Sequence, residues 1–304
     1  MNLSVELSYS AGIAGSFGLP NGWTFSMAYI DVPGDTVTSQ GRTYVIDFEW
    51  ADITGYKSGL KYINQRGIKF EYINPSQPLP SGLPGEFAWR FSQIDGSFQY
   101  YDEAGKLLES DDIYGNHIYY AYTDSTASPD KARIDYIVDS WGQKVQFGYQ
   151  PGNYIQITAP DGGISKIVLS GPQKVHQVVD PLGNTTTFAY TDVASQYVLS
   201  GIEYPSTLVS RFMYQTLEFY QKDGSVGLLP AVQDQLHLDG GGNLLERTNY
   251  RFGEATSNRT FTGYADGYKM GGKTDSLMDG NDGNYRYLPI FVQCFPIVLL
   301  TTCS

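Results

Sequence analysis

The chain has 304 residues, of which 17% are charged and 14% aromatic, and it contains 34 glycines and 25 tyrosines. Tyrosine, phenylalanine and threonine favour pleated sheet, whereas glycine, aspartate and asparagine favour turns, so this composition predicts an all-β protein. The net charge of −12 disfavours nucleic acid and anionic membrane surfaces as partners. Two cysteines, Cys294 and Cys303, are too few for a disulfide framework, and the sequence leaves open whether they pair.

Residues 1–85 are predicted to form a β region that precedes a regular repeat. The first residues show no basic segment followed by an apolar one, so no Sec-type signal peptide is recognised. Apolar residues then alternate and predict a strand whose shared face consists of Trp23, Phe25, Met27 and Tyr29. Further strands are predicted over 42–50 and 68–73, and a proline-rich loop over 74–85 marks the predicted domain boundary.

Residues 86–287 are predicted to repeat one β-hairpin unit. Three segments match in register, namely Asp112–Tyr122, Asp139–Tyr149 and Asp180–Tyr190. Each has Asp three residues before Gly, an aromatic residue five after that glycine and Tyr seven after it. A fixed internal pattern of this kind indicates a repeat architecture. Weaker copies are predicted at Asp161–Leu169 and Ile202–Tyr214.

The repeated residues have a structural interpretation. The aspartate caps a tight turn, the glycine supplies a positive φ, and alternate residues of the outgoing strand share one face, where we expect aromatic ladders. The positions that define the repeat are Asp112, Gly115, Tyr120, Tyr122, Asp139, Gly142, Phe147, Tyr149, Asp180, Gly183, Phe188 and Tyr190. The opposite face is predicted to be exposed, and it lacks the aromatic line of a sugar-binding surface; its residues are Tyr119, Lys144, Gln146, Thr185 and Thr187.

These units resemble the RHS/YD-repeat family, whose repeats combine an Asp-x-x-Gly-Asn turn with a strand that ends in Tyr. Asp112–Tyr122 and Asp180–Tyr190 match closely, whereas the middle unit has Gln143 where asparagine is usual. Leu7–Trp23 is similar to the segment that precedes the repeats in bacterial members. Arg247–Tyr287 is similar to a region of insecticidal-toxin-like members.

The resemblance implies a spiralling strip of antiparallel β-hairpins, here part of an RHS shell. Such a strip encloses or scaffolds a toxic C-terminal polypeptide, or contacts other toxin-complex subunits, without enzymatic activity. It implies a secreted or cell-surface protein exported by a non-Sec route. The alternative is a carbohydrate-binding or adhesive surface module built on the same repeats. An incomplete strip has open strand edges, so we expect oligomers or poor solubility for the chain alone.

Residues 288–304 form an atypical apolar tail that contains neither a charged residue nor a glycine. Its apolar stretch is too short to span a bilayer, so no membrane span is predicted. The abrupt change of composition leads to the expectation that the chain is a truncated or frame-shifted piece of a longer toxin.

Carboxylates are the only catalytic candidates that the sequence offers. Asp111 with Asp112, or Asp47 with Glu49, could form the carboxyl pair of a glycosidase. Turn capping explains the repeated aspartates better, because these positions recur in every unit. We therefore predict that the protein is not an enzyme.

No cofactor or metal site is predicted. Three isolated histidines follow no metal-ligand spacing, namely His117, His176 and His237. Four late aspartates fit no calcium motif, namely Asp266, Asp275, Asp279 and Asp282. The glycine run 240–242 lacks the Lys-Ser/Thr that follows in a phosphate-binding loop.

Overall fold

The computed structural model describes residues 3–11, 14–39, 42–47, 59–61, 67–73, 76–124, 127–129, 131–171, 174–220, 226–250 and 297–301. Every regular element in these ranges is a β-strand, and the paired strands are antiparallel. The predicted all-β class is therefore confirmed. No helix in the described part of the chain is long and apolar enough to cross a membrane.

Two small sheets are built from the N-terminal region. In the first, β1 (Ser4–Tyr9) pairs with β2 (Trp23–Phe25) on one side and, on the other, with a late strand over Ile297–Thr301. The second consists of β3 (Tyr29–Asp31), β4 (Thr36–Ser39) and β5 (Arg42–Val45). Part of the predicted apolar tail thus pairs with the first strand of the chain.

The rest of the described chain forms one 15-stranded sheet whose strands follow one another in sequence order. The strands are β6 (Lys69–Tyr72), β7 (Trp89–Ser92), β8 (Phe98–Tyr101), β9 (Leu107–Asp111), β10 (His117–Tyr122), β11 (Ile134–Asp139), β12 (Lys144–Gln150), β13 (Tyr154–Thr158), β14 (Ile164–Leu169), β15 (Val175–Val179), β16 (Thr185–Val193), β17 (Gln196–Glu203), β18 (Val209–Tyr220), β19 (Val226–Leu238) and β20 (Leu244–Asn249). The late strand Ile297–Thr301 is β21. Because β6 precedes residue 85 and pairs with β7, the sheet continues across the predicted domain boundary.

The alternation of side chains explains why these segments form strands with one buried face. In β13, Ile155 and Ile157 are buried, whereas the residues between and beside them are half-buried. Their partners across the ladder are Tyr149 and Phe147 of β12, so apolar side chains face one another on the same side of the sheet. The buried side chains of these strands lie on one side of the sheet, as predicted for the shared face of the repeat.

The N-terminal hairpin of β1 and β2 covers this buried face, which we call the inner face. Trp23 is fully buried, and its ring lies edge-on to Phe188 with centroids 4.9 Å apart. Phe25 packs in the same way on Phe147, at 5.5 Å. Leu7 of β1 is also fully buried in this core. Residues 3–11 and 14–25 therefore contribute to the same hydrophobic core as the repeat strands.

The opposite face, which we call the outer face, is covered in part by the proline-rich segment. Leu79 and Phe87 pack against Leu108 and Tyr119, and the Tyr119 hydroxyl donates a hydrogen bond to the carbonyl of Pro84. The prediction that Tyr119 is exposed was wrong, since only 6% of its surface is accessible. Strand alternation places it on the outer face, but the chain folds back over that face.

The predicted strand from Trp23 to Tyr29 is two strands. β2 ends at Phe25, and Tyr29 begins β3 in the other small sheet. The residues between the two strands shift the alternation of buried and exposed side chains by one position. In β3 the buried residue is therefore Ile30, and Tyr29 is only half-buried. The strand predicted over 42–50 is described over Arg42–Val45. Glu49, both cysteines and the acidic residues 266–282 lie outside the described residues.

Candidate functional site

The turn at Asp112 shows how the repeat unit is held. The Asp112 amide donates to the Asn116 carbonyl at 2.9 Å, and the Gly115 amide donates to the Asp112 carbonyl at 3.2 Å. Gly115 has a φ of 80°, which makes this a tight turn closed by a glycine bulge. Asp112 Oδ1 accepts the amides of Tyr114 at 2.8 Å and of Asn116 at 2.9 Å. The glycine and the aspartate thus have the roles that the pattern predicts.

The asparagine that follows the glycine completes the cap. Asn116 Nδ2 donates to Asp112 Oδ2 at 2.8 Å, and this bond contributes most to lowering the pKa of the Asp112 carboxyl. Asp180 and Asn184 repeat the arrangement, with the side-chain bond at 2.8 Å. The two carboxylates therefore stay charged at neutral pH while their oxygens accept bonds from their own turns.

The middle unit lacks this side-chain bond. Asp139 Oδ1 accepts the amides of Trp141 and Gln143, both at 2.9 Å. Asp139 Oδ2 is buried and accepts no hydrogen bond from any described residue. Gln143, which stands where the other two units have asparagine, thus coincides with a carboxylate oxygen that has no hydrogen-bond partner among the described residues.

Gln143→Asn is expected to stabilise the protein by about 0.5–1.5 kcal/mol, because the shorter amide would reach Asp139 Oδ2 as it does in the other turns. The reverse change, Asn184→Gln, is the matched control and is expected to cost a similar amount. Urea unfolding midpoints measure both changes. If Gln143→Asn has no effect while Asn184→Gln destabilises, the missing bond at Asp139 has no energetic consequence.

A third complete cap, at Asp239, was missed in the sequence. Asp239 Oδ1 accepts the amides of Gly241 at 2.9 Å and Asn243 at 2.8 Å, and Asn243 Nδ2 donates to Asp239 Oδ2 at 2.9 Å. The signal was present as Asp-Gly-Gly-Gly-Asn, which has the same spacing. The glycine run 240–242 is therefore the body of a repeat turn.

The turn also forms without an aspartate. At Ala159–Gly163 and at Tyr204–Leu208, the same two backbone hydrogen bonds close the hairpin. In the second of these, Thr207 occupies the glycine position with a φ of 66°. The weaker copies predicted at these places are therefore hairpins whose first turn residue is not a carboxylate cap.

The tyrosine at the end of the unit ties the end of its strand to the start of the preceding strand. Four of these tyrosine hydroxyls bond a backbone group 15 residues earlier. The bonds are Tyr122 to Leu107 O at 2.7 Å, Ile134 N to Tyr149 at 3.1 Å, Tyr190 to Val175 O at 2.7 Å and Tyr214 to Leu199 O at 2.6 Å. Burial raises the pKa of all four tyrosines, so their hydroxyls remain protonated donors. We call these residues the latch tyrosines.

The latch tyrosines also hold the N-terminal segment. Trp23 Nε1 donates to the Tyr190 hydroxyl at 2.9 Å, and the Tyr149 hydroxyl donates to the Phe17 carbonyl at 3.1 Å. The repeat positions therefore have two roles. Their aspartates and glycines form the hairpin turns, and two of their tyrosines, Tyr149 and Tyr190, bind the N-terminal segment to the inner face.

The two adjacent carboxylates that were considered as a glycosidase pair lie in different surroundings. Asp112 caps its turn, whereas Asp111 ends β9 on the outer face beside Glu109. Glu109 is fully buried and accepts hydrogen bonds from the Ser81 amide at 3.2 Å and the Ser81 hydroxyl at 2.6 Å. Burial, followed by the neighbouring Glu109 carboxyl, raises the pKa of Asp111 to about 7.

Asp111→Asn is expected to stabilise the protein at pH 8 by about 1–2 kcal/mol, a value reduced because Asp111 is only half-buried. The pKa of Asp111 is higher in the folded state than in the unfolded state, so folding favours the protonated carboxyl. The contribution of Asp111 to folding stability is therefore fully present below pH 3.8 and is lost as the pH rises through about 7. Unfolding in urea at pH 4 and pH 8 measures this, and the variant should match the parent at pH 4. An equal gain at both pH values would contradict the assignment.

A cavity of about 680 Å³ lies where β9 and β10 meet the proline-rich segment, and Pro84, Lys106 and Tyr122 are among its lining residues. Its volume is in the range of small-molecule sites. The Lys106 ammonium is fully buried, lies 2.7 Å from Asp102 and donates to the Ala127 carbonyl at 2.6 Å. The Lys106 ammonium is thus paired with a carboxylate and a carbonyl of the same chain.

The described residues contain no group of three or more His, Cys, Asp or Glu side chains that could hold a metal ion. His237 contacts the Ser210 hydroxyl at 2.9 Å and the Gln235 amide at 3.1 Å. The amide and carbonyl of His117 are both bonded to the Ser140 hydroxyl, which joins two neighbouring turns. These contacts hold two of the three histidines in the sheet.

No protein-family model matches the sequence, and a comparison with curated proteins finds no match.

Proposed function

We propose that the chain is a non-enzymatic β-sheet strip of the RHS/YD type, which forms part of the wall of a shell around a toxic polypeptide or supports such a polypeptide. The observation that carries the proposal is the use of the repeat residues. Three aspartates of the pattern cap their own turns, and the latch tyrosines bond the backbone at the start of the preceding strand. Residues with these roles build a surface and do not convert a substrate.

The dimensions of the sheet fit a wall. Fifteen strands at about 4.8 Å each give a strip roughly 70 Å long. Because the strands follow sequence order, each hairpin adds to the edge of the last, and the strip can be extended without rearrangement. The N-terminal hairpin covers part of the inner face, so that part of the strip has its own core and does not need cargo to bury it.

Enclosure is tested by protease protection of a following polypeptide. The reading frame is expressed together with the coding sequence that follows it in the genome, and the digestion rate of the downstream polypeptide is compared in fused and free form. We expect strong protection in the fused form and loss of protection when Trp23→Ala weakens the core. Equal digestion of the fused and free polypeptides would remove the support for an enclosing role.

A further inference from the structure

Alternate hairpin turns lie along one edge of the 15-stranded sheet. Antiparallel strands reverse direction at each turn, so every second turn lies on the same side. Five successive turns on this side are 93–97, 112–116, 139–143, 159–163 and 180–184, and we call them the turn rim. Neighbouring turns on the rim are separated by two strands, which is about 10 Å.

The turn rim exposes large apolar side chains at the tips of its turns. Exposed fractions are 62% for Ile94, 58% for Ile113, 83% for Tyr114, 61% for Trp141 and 88% for Leu182. Turn positions normally carry Gly, Pro, Asn, Asp or Ser, which satisfy turn geometry without an apolar surface. The first three turns carry such side chains in succession, whereas 159–163 carries none and 180–184 carries Leu182. Exposed apolar groups in a row of this kind mark interaction sites on soluble proteins.

The same turns are anionic. They contain five carboxylates and neither lysine nor arginine; the carboxylates are Asp95, Asp112, Asp139, Asp161 and Asp180. Hydrogen bonds from their own turns lower the pKa of Asp95 and Asp112, so these two groups are charged at neutral pH. Lys144 follows one turn directly, but its ammonium lies 3.7 Å from the centre of the Tyr136 ring, a side chain of the strand face.

Neighbouring turns are fastened to each other, which makes the rim a preformed surface. The Ser140 hydroxyl accepts the His117 amide at 2.7 Å and donates to the His117 carbonyl at 3.1 Å. A Cβ added at Gly96 would lie 3.1 Å from Ile113, so these two turns also pack closely. A partner that binds along the rim therefore meets an ordered row of tips.

We propose that the turn rim is a docking surface for an extended segment of a partner protein that carries lysine or arginine between apolar side chains. The apolar tips of the first three turns lie about 10 Å apart, which suits a segment in the extended polyproline II conformation. That conformation has three residues per turn and a rise of about 3.1 Å, so every third side chain recurs on the same side at about 9 Å. The carboxylates of Asp95, Asp112, Asp161 and Asp180 complement basic side chains, whereas Asp139 is buried. This inference does not depend on the enclosing role proposed above.

Two other occupants are disfavoured by charge. A second copy of the chain has a net charge of −12 and presents the same carboxylates, so two rims would repel each other. A membrane that contains anionic lipid is repelled for the same reason. Both remain outcomes that the experiment distinguishes.

The test measures binding of synthetic twelve-residue peptides by calorimetry. One peptide has leucine at every third position and lysine at the positions between, the second has glutamate for lysine, and the third has serine for leucine. The rim variant is Trp141→Ser with Leu182→Ser. Its matched control is Met213→Ser with Leu228→Ser, which removes two side chains that are 52% and 47% exposed outside the rim.

Of the three peptides, we expect only the lysine–leucine peptide to bind saturably. Its affinity should fall at least about tenfold in the rim variant and stay unchanged in the control variant. The two variants should have equal urea unfolding midpoints. Equal affinity of the rim and control variants for this peptide would overturn the proposal. A second result would also overturn it: the peptide does not bind, but the parent protein binds phosphatidylcholine vesicles, self-associates or binds glycans, and the rim variant loses that property.

Discussion

Trp23→Ala is expected to lower the free energy of unfolding by about 3–5 kcal/mol, the largest effect of any single truncation proposed for this protein. Trp23 is fully buried between the N-terminal hairpin and the sheet, with ring centroids 4.9 Å from Phe188 and 5.2 Å from Tyr9. Its indole N–H also donates to the Tyr190 hydroxyl. The change therefore opens a cavity and removes a hydrogen bond at the same position.

Trp141→Ala is the matched control for this prediction. Trp141 is 61% exposed at the tip of a turn, so its loss is expected to change stability by no more than about 0.5 kcal/mol. Urea unfolding followed by circular dichroism measures both variants, and limited proteolysis shows whether residues 3–25 detach first. Similar stability losses for the two tryptophans would mean that the N-terminal hairpin does not form part of the core.

Lys106→Met is expected to destabilise the protein by about 3–5 kcal/mol. The Lys106 side chain is fully buried, and its ammonium compensates the largely buried carboxylate of Asp102 at 2.7 Å. It also lies 5.7 Å from the centre of the Tyr122 ring, where a cation–π contact adds to the stabilisation. Removing the cation leaves a charge in an apolar surrounding with no compensation.

The double variant Asp102→Asn with Lys106→Met is expected to regain most of this loss, because it buries no net charge and keeps an acceptor for the Lys106 backbone amide. Burial raises the pKa of Asp102 above 3.8, so in Lys106→Met the stability should fall as the pH rises above that value. Lys131→Met, at an exposed lysine, is the control. A double variant no more stable than Lys106→Met would show that the ion pair is not what the single variant loses.

Much of the local structure could be predicted because it depends on neighbouring residues. Asp112, Gly115 and Asn116 form their turn through bonds within five residues, and the pattern identified them. The Asp239 turn has the same chemistry but was missed, because its strand ends in Asn249 at the position where the other units have tyrosine. A bulge between His237 and Leu238 accompanies this change in the neighbouring strand.

The candidate site was less predictable, because its contacts join distant parts of the chain. The pattern indicated that Tyr149 and Tyr190 share a face, but it did not show that their hydroxyls bond Phe17 and Trp23. The pairing of Asp111 with Glu109 was also missed, although two carboxylates at alternate positions of one strand always point to the same side.

The sequence by itself determined the β class, the turn chemistry and the side to which each repeat residue points, because these follow from backbone sterics and from the alternation of side chains along a strand. Only the tertiary structure decided what covers each side. Trp23 and Phe25 cover the inner face, whereas the proline-rich segment buries Tyr119 on the outer face. Alternation assigns a residue to a face but carries no information about which remote segment packs there, since that choice depends on the volumes and hydrogen-bond partners of residues brought together by folding.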